Sequence, residues 1–541
     1  MLTHCRFHWP RTAISRISQD ISHGLGVTSM KSRPKGIIAN AAWNSGYVVW
    51  TIAISFIITP IMITHLGLEQ YGILLIVWSV TGIMGTLNLG LGEATLRYIA
   101  RYHSEGDMKS VNRVFGATLS LYVVLCSAVS FALFVVSPYL VHWLNVAAEM
   151  QDLAIWLFRL SALGVVFSIV VGLFGAVAPA LQRYDINTKI NVVAGIVRSI
   201  GYIALAISGW GILYIVLLDL AITLATFYFF ARAAKKLLPS LNLIPSFSFL
   251  GIREIAGYST YSFLTFLFHK LHRECGKLLI ARFFGPIPVT YLATPDNVAQ
   301  RLHEVIAGGV EASLPRFSSK QDRHAAESLF WSMTWTGFSL SLVLLVPFSV
   351  LIVDFLHLWI NAEFADHSGV IGQLLGIYLI SQGGFAAPAA YFRGAGKPWV
   401  VTLVILGSLV ITVISGLIFI PTLGAIGAGY AYLAGSAAPF LGMTVGSLCA
   451  FGISAWPKLM KAVATPLLSG AAAGGVGVFI SSSFGVESWF ELLSIGTLLV
   501  AITAVFVFGS DYLVCGSEST SLRLLQKIIQ RFHFRIKHSE S

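Results

Sequence analysis

The sequence predicts an all-α polytopic membrane protein with about 14 transmembrane helices. Three observations lead to this fold class. Of the 541 residues, 56% are hydrophobic and only 11% are charged, whereas soluble proteins average about 25% charged residues. Apolar stretches of about 18 residues or more recur along the whole chain, as membrane-spanning helices require. Lys and Arg, which give a formal net charge of +11, gather in alternate loops between those stretches.

The apolar stretches divide the chain into two lobes of six helices and a C-terminal pair. We expect a disordered cytoplasmic segment at 1–35, an N-terminal lobe at 36–232, a cytoplasmic linker at 233–254, a C-terminal lobe at 255–446, two further helices within 458–510, and a basic cytoplasmic tail at 511–541. Residues 1–29 lack the long apolar core of a secretory signal peptide. The predicted spans, in order, are 37–63, 71–96, 114–137, 153–178, 190–208, 210–231, 255–284, 286–312, 329–353, 369–391, 399–420, 423–446, 458–482 and 489–510.

The basic residues set the orientation of these spans. With the N-terminus in the cytoplasm, the inside loops hold pairs such as Lys109 with Arg113 and Arg393 with Lys397. The long outside loops, 137–152 and 354–369, contain neither Lys nor Arg. Cytoplasmic loops collect Lys and Arg, so both termini are predicted to be cytoplasmic. The same asymmetry explains the basic balance without any nucleic-acid partner.

A repeated sequence motif indicates an internal duplication of the chain. "GLGEATLRYIARY" (90–102) and "GGVEASLPRFSSK" (308–320) align at an offset of 218, with Glu93 opposite Glu311. Spans two and eight run in the same direction, so the two lobes are related by a pseudo-twofold axis along the membrane normal, around a central cavity. Glu93 and Glu311 then lie at the cytoplasmic mouth. Each either pins its helix end through a neighbouring arginine, Arg97 or Arg316, or acts as a functional group of the mouth.

Charged residues mark the second lobe. Lys270, Arg273 and Lys277 follow an i, i+3, i+7 spacing that places them on one helix face, whereas Ser55 and Thr59 stand opposite Arg273 and Lys277 in the first lobe. Each central cation costs roughly 2.5–3.5 kcal/mol in lipid, so this face must look into the helix bundle or into a watery cavity. The candidate substrate-binding cations are Arg159, Arg198, Lys270, Arg273, Lys277 and Arg301. The candidate ion-coupling or charge-balancing acids are Asp219, Glu274, Asp296 and Glu304.

Two interpretations of these charges remain open. The acids and bases could form a self-neutralising structural network, or the excess of bases could hold an anion. Guanidinium groups suit phosphate oxygens because they donate two parallel hydrogen bonds. A pyrophosphate-linked lipid is one such anion, with its tail left in the bilayer. The five cysteines show no CxxC spacing, and His269, His272 and His303 have no tight ligand constellation, so no metal site or cofactor is predicted.

Three stretches carry a family resemblance: "FIITPIMITHLGLEQYGILLIVWSVTGIMGTLNLGLGEATLRYIARYHSEGDMKSVNRVF" (56–115), "LQRYDINTKIN" (181–191) and "FRGAGKPWVV" (392–401). Over roughly 36–510 the chain resembles the polysaccharide biosynthesis proteins, Wzx-type O-antigen and exopolysaccharide flippases of the multidrug/oligosaccharidyl-lipid/polysaccharide (MOP) transporter superfamily.

The resemblance implies a specific architecture, location and substrate. It implies two six-helix lobes around a V-shaped cavity with basic residues, in the bacterial inner membrane, and no enzymatic activity. It implies movement of an undecaprenyl-pyrophosphate oligosaccharide to the outer leaflet. Coupling to H⁺ or Na⁺, and partnership with polymerase and chain-length components, are further expectations.

Other classes make different demands on the sequence. A drug or cation antiporter of the same superfamily would share the fold but is expected to place acids, not bases, in its cavity. A membrane glycosyltransferase or polymerase usually needs acidic catalytic loops and larger outer loops. A channel would be expected to show a filter-like repeat.

Overall fold

The computed structural model describes residues 34–86, 91–248, 260–311, 323–515 and 519–520, so most of the predicted N-terminal segment and C-terminal tail lies outside the described residues. The described chain is helical, apart from its connecting turns and loops. The helices are α1 (Pro34–Gly85), α2 (Leu91–Ser104), α3 (Met108–Trp143), α4 (Ala148–Ala180), α5 (Tyr184–Ile207), α6 (Ile212–Leu237), α7 (Thr260–Phe284), α8 (Ile287–Glu311), α9 (Arg323–Trp359), α10 (Ala362–Gly394), α11 (Pro398–Leu423), α12 (Ile426–Gly435), α13 (Ala437–Phe451), α14 (Trp456–Phe484) and α15 (Trp489–Cys515).

These helices confirm the predicted all-α membrane fold. Eleven described segments are long and apolar enough to cross a membrane. The charged helices α7 and α8 fall outside that criterion, and α1 counts once although it bends into two helices at Gly67. With α7, α8 and the second half of α1 added to the eleven segments, the described chain has fourteen crossings. Helices α12 and α13 together form one crossing, Ile426–Phe451, interrupted at Ser436.

The second predicted span ends earlier than its apolar pattern indicates. Helix α1 stops at Gly85, and Leu91–Ser104 forms the separate helix α2. Arg97, Arg101 and His103 make α2 amphipathic. An amphipathic helix keeps its polar face out of hydrocarbon, so it does not continue the span.

The duplication is visible in the backbone as well as in the sequence. Gly67, at the bend of α1, has φ 79°, and Gly285, between α7 and α8, has φ 78°. These two glycines are 218 residues apart, which is the offset of the repeated phrase. Only glycine adopts positive φ without steric cost. The two halves of α1 therefore correspond to α7 and α8.

The two lobes meet through a nearly symmetric contact beside these glycines, which we call the lobe contact (Leu68, Gly72, Pro286 and Thr290). The Thr290 hydroxyl donates to the carbonyl of Leu68 at 3.0 Å. A Cβ added at Gly72 would overlap the carbonyl oxygen of Pro286. At the offset of 218, Leu68 is equivalent to Pro286 and Gly72 to Thr290. The same surface patch thus meets itself, as in a twofold interface.

Packing outside the lobe contact keeps each lobe together. In the first lobe, buried residues such as Phe115 and Phe174 join α3 to α4, with their rings 5.3 Å apart. The segment after α6 lies along α3, where the Asn112 side-chain amide donates to the carbonyl of Ser240. Helices α14 and α15 pack on α9 of the second lobe. These contacts lie within each lobe, and the space between the lobes holds a cavity.

Candidate functional site

A cavity of about 350 Å³ lies between the two lobes. Helices α1 and α5 line it from the first lobe, and α7, α8 and the last residue of α9 line it from the second. Ser55 and Arg273, which are equivalent in the duplication, both lie on its wall. The charged lining residues among those described are three arginines, and no carboxylate accompanies them; they are Arg198, Arg273 and Arg301.

Arg198 is held by a carboxylate behind the cavity wall. Its Nε donates to Asp219 at 3.0 Å. The same carboxylate accepts from the Tyr202 hydroxyl at 2.6 Å and from the Trp78 indole at 3.3 Å. Asp219 on α6 therefore joins three lining side chains from α1 and α5, and it orients the Arg198 guanidinium along the cavity wall.

Arg273 and Arg301 share a second carboxylate. Arg301 lies 3.1 Å from Glu304 in a regular hydrogen bond, whereas the closest Arg273–Glu304 approach is 3.9 Å. The Arg273 Nε is buried and has no hydrogen-bond acceptor among the described residues. Because its closest carboxylate contact is loose and its side chain is 31% exposed, the exposed part of the Arg273 guanidinium can donate to an anionic ligand in the cavity.

Lys270 and Lys277 have a different environment from Arg273. Both donate to Glu274, at 2.8 and 2.9 Å. Lys277 also lies 3.9 Å from Asp296 and is only 6% exposed. Neither lysine is part of the described cavity lining. The two lysines, Glu274 and Asp296 form a self-neutralising network, which is one of the two interpretations of these charges given above.

Arg159 lies apart from the cavity. Its guanidinium stands 4.6 Å from the ring centre of Phe134 and 5.6 Å from that of Trp156. Both rings are exposed, Phe134 on α3 and Trp156 on α4. Arg159 is not among the described lining residues of the cavity, so its predicted substrate-binding role stays a prediction.

The side chains of Glu93 and Glu311 lie outside the described residues, although their backbones belong to α2 and α8. Whether they pin the helix ends or serve the cavity mouth stays a prediction.

Aromatic residues are the part of the site that charge counting missed. Five aromatic side chains line the cavity, and Trp78 stacks on Tyr202 with ring centres 5.8 Å apart. The duplication does not locate them, because the equivalent of Trp78 at the offset of 218 is Asp296, which is not among the described lining residues. The aromatic lining residues are Phe56, Tyr71, Trp78, Tyr202 and Trp359.

His272 is packed inside the second lobe, between α10 and α11. His272 is buried, with its Nε2 3.0 Å from the Thr412 hydroxyl and its Nδ1 3.4 Å from the Tyr378 hydroxyl. In the described chain no three His, Cys, Asp or Glu side chains are grouped so that they could hold a metal ion.

Solved structures show where this fold occurs. The chain is similar to "Lipid II flippase MurJ, inward closed conformation", with a TM-score of 0.66, 13% identity, and coverage of 87% of this chain and 99% of that chain. It is similar to an inward-facing multidrug resistance MATE transporter of the MOP superfamily, with a TM-score of 0.63, 15% identity, and coverage of 73% and 94%. Against the outward-facing MATE conformation the TM-score is 0.54, at 16% identity and coverage of 75% and 93%.

These likenesses establish the fold, while function depends on the site. No curated protein matches the chain in sequence. A family model does match, described as polysaccharide biosynthesis protein, over residues 37–321. That match covers more than half of the 541 residues, and the chain therefore belongs to the polysaccharide biosynthesis protein family.

Proposed function

We propose that the protein is a flippase that moves a polyprenyl-pyrophosphate-linked oligosaccharide from the cytoplasmic to the outer leaflet by alternating access of its two lobes. It acts as a transporter and not as an enzyme. The observation that carries the proposal is the cavity between the lobes, whose described lining holds three guanidinium groups and no carboxylate.

The arginines suit the pyrophosphate of such a substrate. Arg198 donates to Asp219 and Arg301 donates to Glu304, and neither carboxylate lines the cavity. Arg273 has a buried Nε without an acceptor among the described residues. Guanidinium forks bind phosphate oxygens through paired, charge-assisted hydrogen bonds. With Lys270 and Lys277 already paired to Glu274, the proposed substrate-binding set narrows to these three arginines.

The aromatic lining suits the sugars. Trp78, Tyr202 and Tyr71 combine apolar ring faces with polar edges, and sugar rings present the same mixture of C–H faces and hydroxyl edges. All three lie on the same cavity wall as Arg198. One cavity can thus hold the charged and the uncharged parts of the head group while the polyprenyl tail stays in the bilayer.

An antiporter of drugs or cations is the alternative within the same fold. The likeness to a multidrug resistance MATE transporter favours it. An exporter of cations needs acidic groups at its binding site, because a desolvated cation without a carboxylate partner is costly to bury. The described lining offers only arginines as charged groups, and this favours the anionic substrate.

The orientation and state of the molecule follow from the loop charges. If the Lys- and Arg-rich loops are cytoplasmic, the lobe contact closes the cavity on the outside. The structure then represents an inward-facing state, in keeping with the higher TM-score against the inward-facing transporter.

Cysteines at the exposed positions Lys109 and Glu149 test this orientation: an impermeant thiol reagent added to intact cells should label position 149 and not position 109.

Several accompanying features stay predictions. They are the bacterial inner membrane with both termini cytoplasmic, coupling to H⁺ or Na⁺ through Asp219 or Glu274, and contact with polymerase and chain-length components of a polysaccharide pathway.

The test is a flipping assay in a bacterial strain that lacks its own oligosaccharide-lipid flippase. Expression of this chain should restore surface polysaccharide and lower the amount of lipid-linked oligosaccharide on the cytoplasmic face. If the chain inserts normally but the lipid-linked oligosaccharide still accumulates inside for every sugar unit tried, and resistance to cationic drugs rises, the antiporter is the correct function.

A further inference from the structure

We propose that Arg159, Phe134 and Trp156 form a binding site for the phosphate of a membrane phospholipid on the outer surface of the first lobe. This site is separate from the cavity and independent of the proposed transport function.

The charge of Arg159 lacks a partner within the protein. The other five cations singled out by the sequence each have a carboxylate within 4 Å. Arg159 has none among the described residues, and its Nε is buried without a hydrogen-bond acceptor. An unpaired cation within a membrane-spanning helix is costly and calls for a ligand from outside the chain.

The surroundings of Arg159 face lipid. Trp156 is 55% exposed and Phe134 is 44% exposed, and both lie on membrane-spanning helices. The two rings hold the guanidinium by cation–π contacts at 4.6 and 5.6 Å. Such contacts use the flat face of the guanidinium and leave its N–H edge free for a phosphate.

The depth of Arg159 fits the boundary between head groups and acyl chains. Helix α4 has 33 residues, or about 50 Å at 1.5 Å per residue, against about 30 Å of hydrocarbon. If α4 is centred, Arg159, eleven residues after Ala148, lies roughly 6 Å below the hydrocarbon boundary. From this depth an arginine side chain can extend to the phosphate level.

Exposed aromatic residues mark the same boundary. Trp143 ends α3, Trp210 precedes α6 and Trp489 begins α15, all at the end of the molecule where α4 starts. Trp and Tyr belts occupy membrane interfaces. Arg159 lies one helical turn below Trp156, so the ligand is a phosphodiester of the leaflet at that end, not a soluble phosphate.

Native mass spectrometry of the purified full chain, titrated with phosphatidylglycerol, tests the site. We expect one tightly retained lipid on the wild type, about tenfold weaker retention in Arg159→Gln, and an intermediate loss in Arg159→Lys, which keeps the charge but not the fork. Trp156→Leu should also weaken retention, because it removes one wall of the site. Arg282→Gln is the matched control, since Arg282 is an exposed arginine in the last turn of α7, and it should retain the lipid.

Two comparison lipids identify the chemistry. Dioleoylglycerol has the same kind of tails without a phosphate and should not be retained. Equal retention of phosphatidylglycerol by wild type and Arg159→Gln, or equal retention of dioleoylglycerol by the wild type, would overturn the proposal. Preferential displacement of phosphatidylglycerol by undecaprenyl pyrophosphate in the wild type but not in Arg159→Gln would overturn the phospholipid assignment and give the site to the transported lipid.

Discussion

At the scale of single residues, the ability of the cavity to bind an anion depends on which of its cations lack a close carboxylate partner. Arg273 approaches Glu304 only to 3.9 Å and keeps a buried Nε without an acceptor. One helical turn away, Lys277 bonds Glu274 at 2.9 Å and is almost fully buried. We therefore propose different roles for the two cations: Arg273 binds the substrate, and Lys277 stabilises the second lobe.

We predict that Arg273→Gln and Lys277→Gln separate these roles. Loss of Lys277 leaves the buried Glu274 with a single lysine partner, and breaking a buried pair costs about 3–5 kcal/mol. Loss of Arg273 removes a partly exposed, loose pair worth about 0–1 kcal/mol. Melting of the detergent-purified variants should therefore show a clear fall in Tm for Lys277→Gln only, whereas transport should fall for Arg273→Gln even where its Tm is unchanged. Equal Tm losses would contradict this division.

The sequence singles out the charged residues of this region but does not predict which of them pair with one another. The i, i+3, i+7 spacing of Lys270, Arg273 and Lys277 predicts one shared face, yet Glu274 within the same helix draws both lysines away from the cavity. Which cation pairs tightly depends on a difference of about 1 Å between the Lys277–Glu274 distance of 2.9 Å and the Arg273–Glu304 distance of 3.9 Å. Helical periodicity does not determine such a difference. The aromatic lining was missed for a similar reason, because aromatic residues are common on every face of a membrane helix.

At the scale of elements, the bend of α1 depends on one backbone conformation. Gly67 has φ 79° and ψ 164°, a region that residues other than glycine rarely enter. A Cβ at this position would meet no atom within 4 Å. The requirement for glycine is thus a property of the backbone and not of packing.

We predict that Gly67→Ala lowers the free energy of unfolding by about 1–3 kcal/mol and impairs transport, because the bend joins two helices that line the cavity. Gly172→Ala is the control: Gly172 lies within α4, also without an atom within 4 Å of an added Cβ. That change should stabilise the helix by up to about 1 kcal/mol. Matching Tm shifts in the two variants would show that the bend does not depend on glycine.

Element existence was predictable here, and element ends were not. Long apolar runs predicted most of the fourteen crossings, because length and hydropathy satisfy the bilayer, whereas the charged helices α7 and α8 do not meet that criterion. Hydropathy predicts a short loop between the first two spans where the structure has the bend at Gly67, and it predicts one span where α1 and α2 are separate helices. Both features depend on local backbone geometry that hydropathy averages away.

At the scale of the whole molecule, the lobe contact sets which side of the cavity is closed. Gly72 lies against the carbonyl of Pro286 with no room for a Cβ. The equivalent Thr290 donates to Leu68, and the Trp359 indole donates to the carbonyl of Phe56 at 2.8 Å. These contacts exist only while the two lobes touch at this end.

We predict that Gly72→Ala shifts the molecule away from this closed state. The added methyl group meets backbone, which cannot move aside as a side chain can, so the lobes must separate. A cysteine at Ser55 on the cavity wall should then react faster with an impermeant thiol reagent from outside. Gly82→Ala is the control on the same helix, because its added Cβ would meet only the flexible end of Lys270. Unchanged labelling in Gly72→Ala would contradict the closed outer contact.

The most direct test of the central claim, that the cavity carries a lipid-linked pyrophosphate oligosaccharide, is transport by the purified protein in proteoliposomes. The wild type should move a fluorescent polyprenyl-pyrophosphate oligosaccharide between leaflets and should not move a cationic dye. Arg273→Gln should lose most of this transport, while Ser55→Ala, the change at the equivalent position of the first lobe, should keep it. Movement of the dye without the oligosaccharide, or full oligosaccharide transport by Arg273→Gln, would contradict the claim.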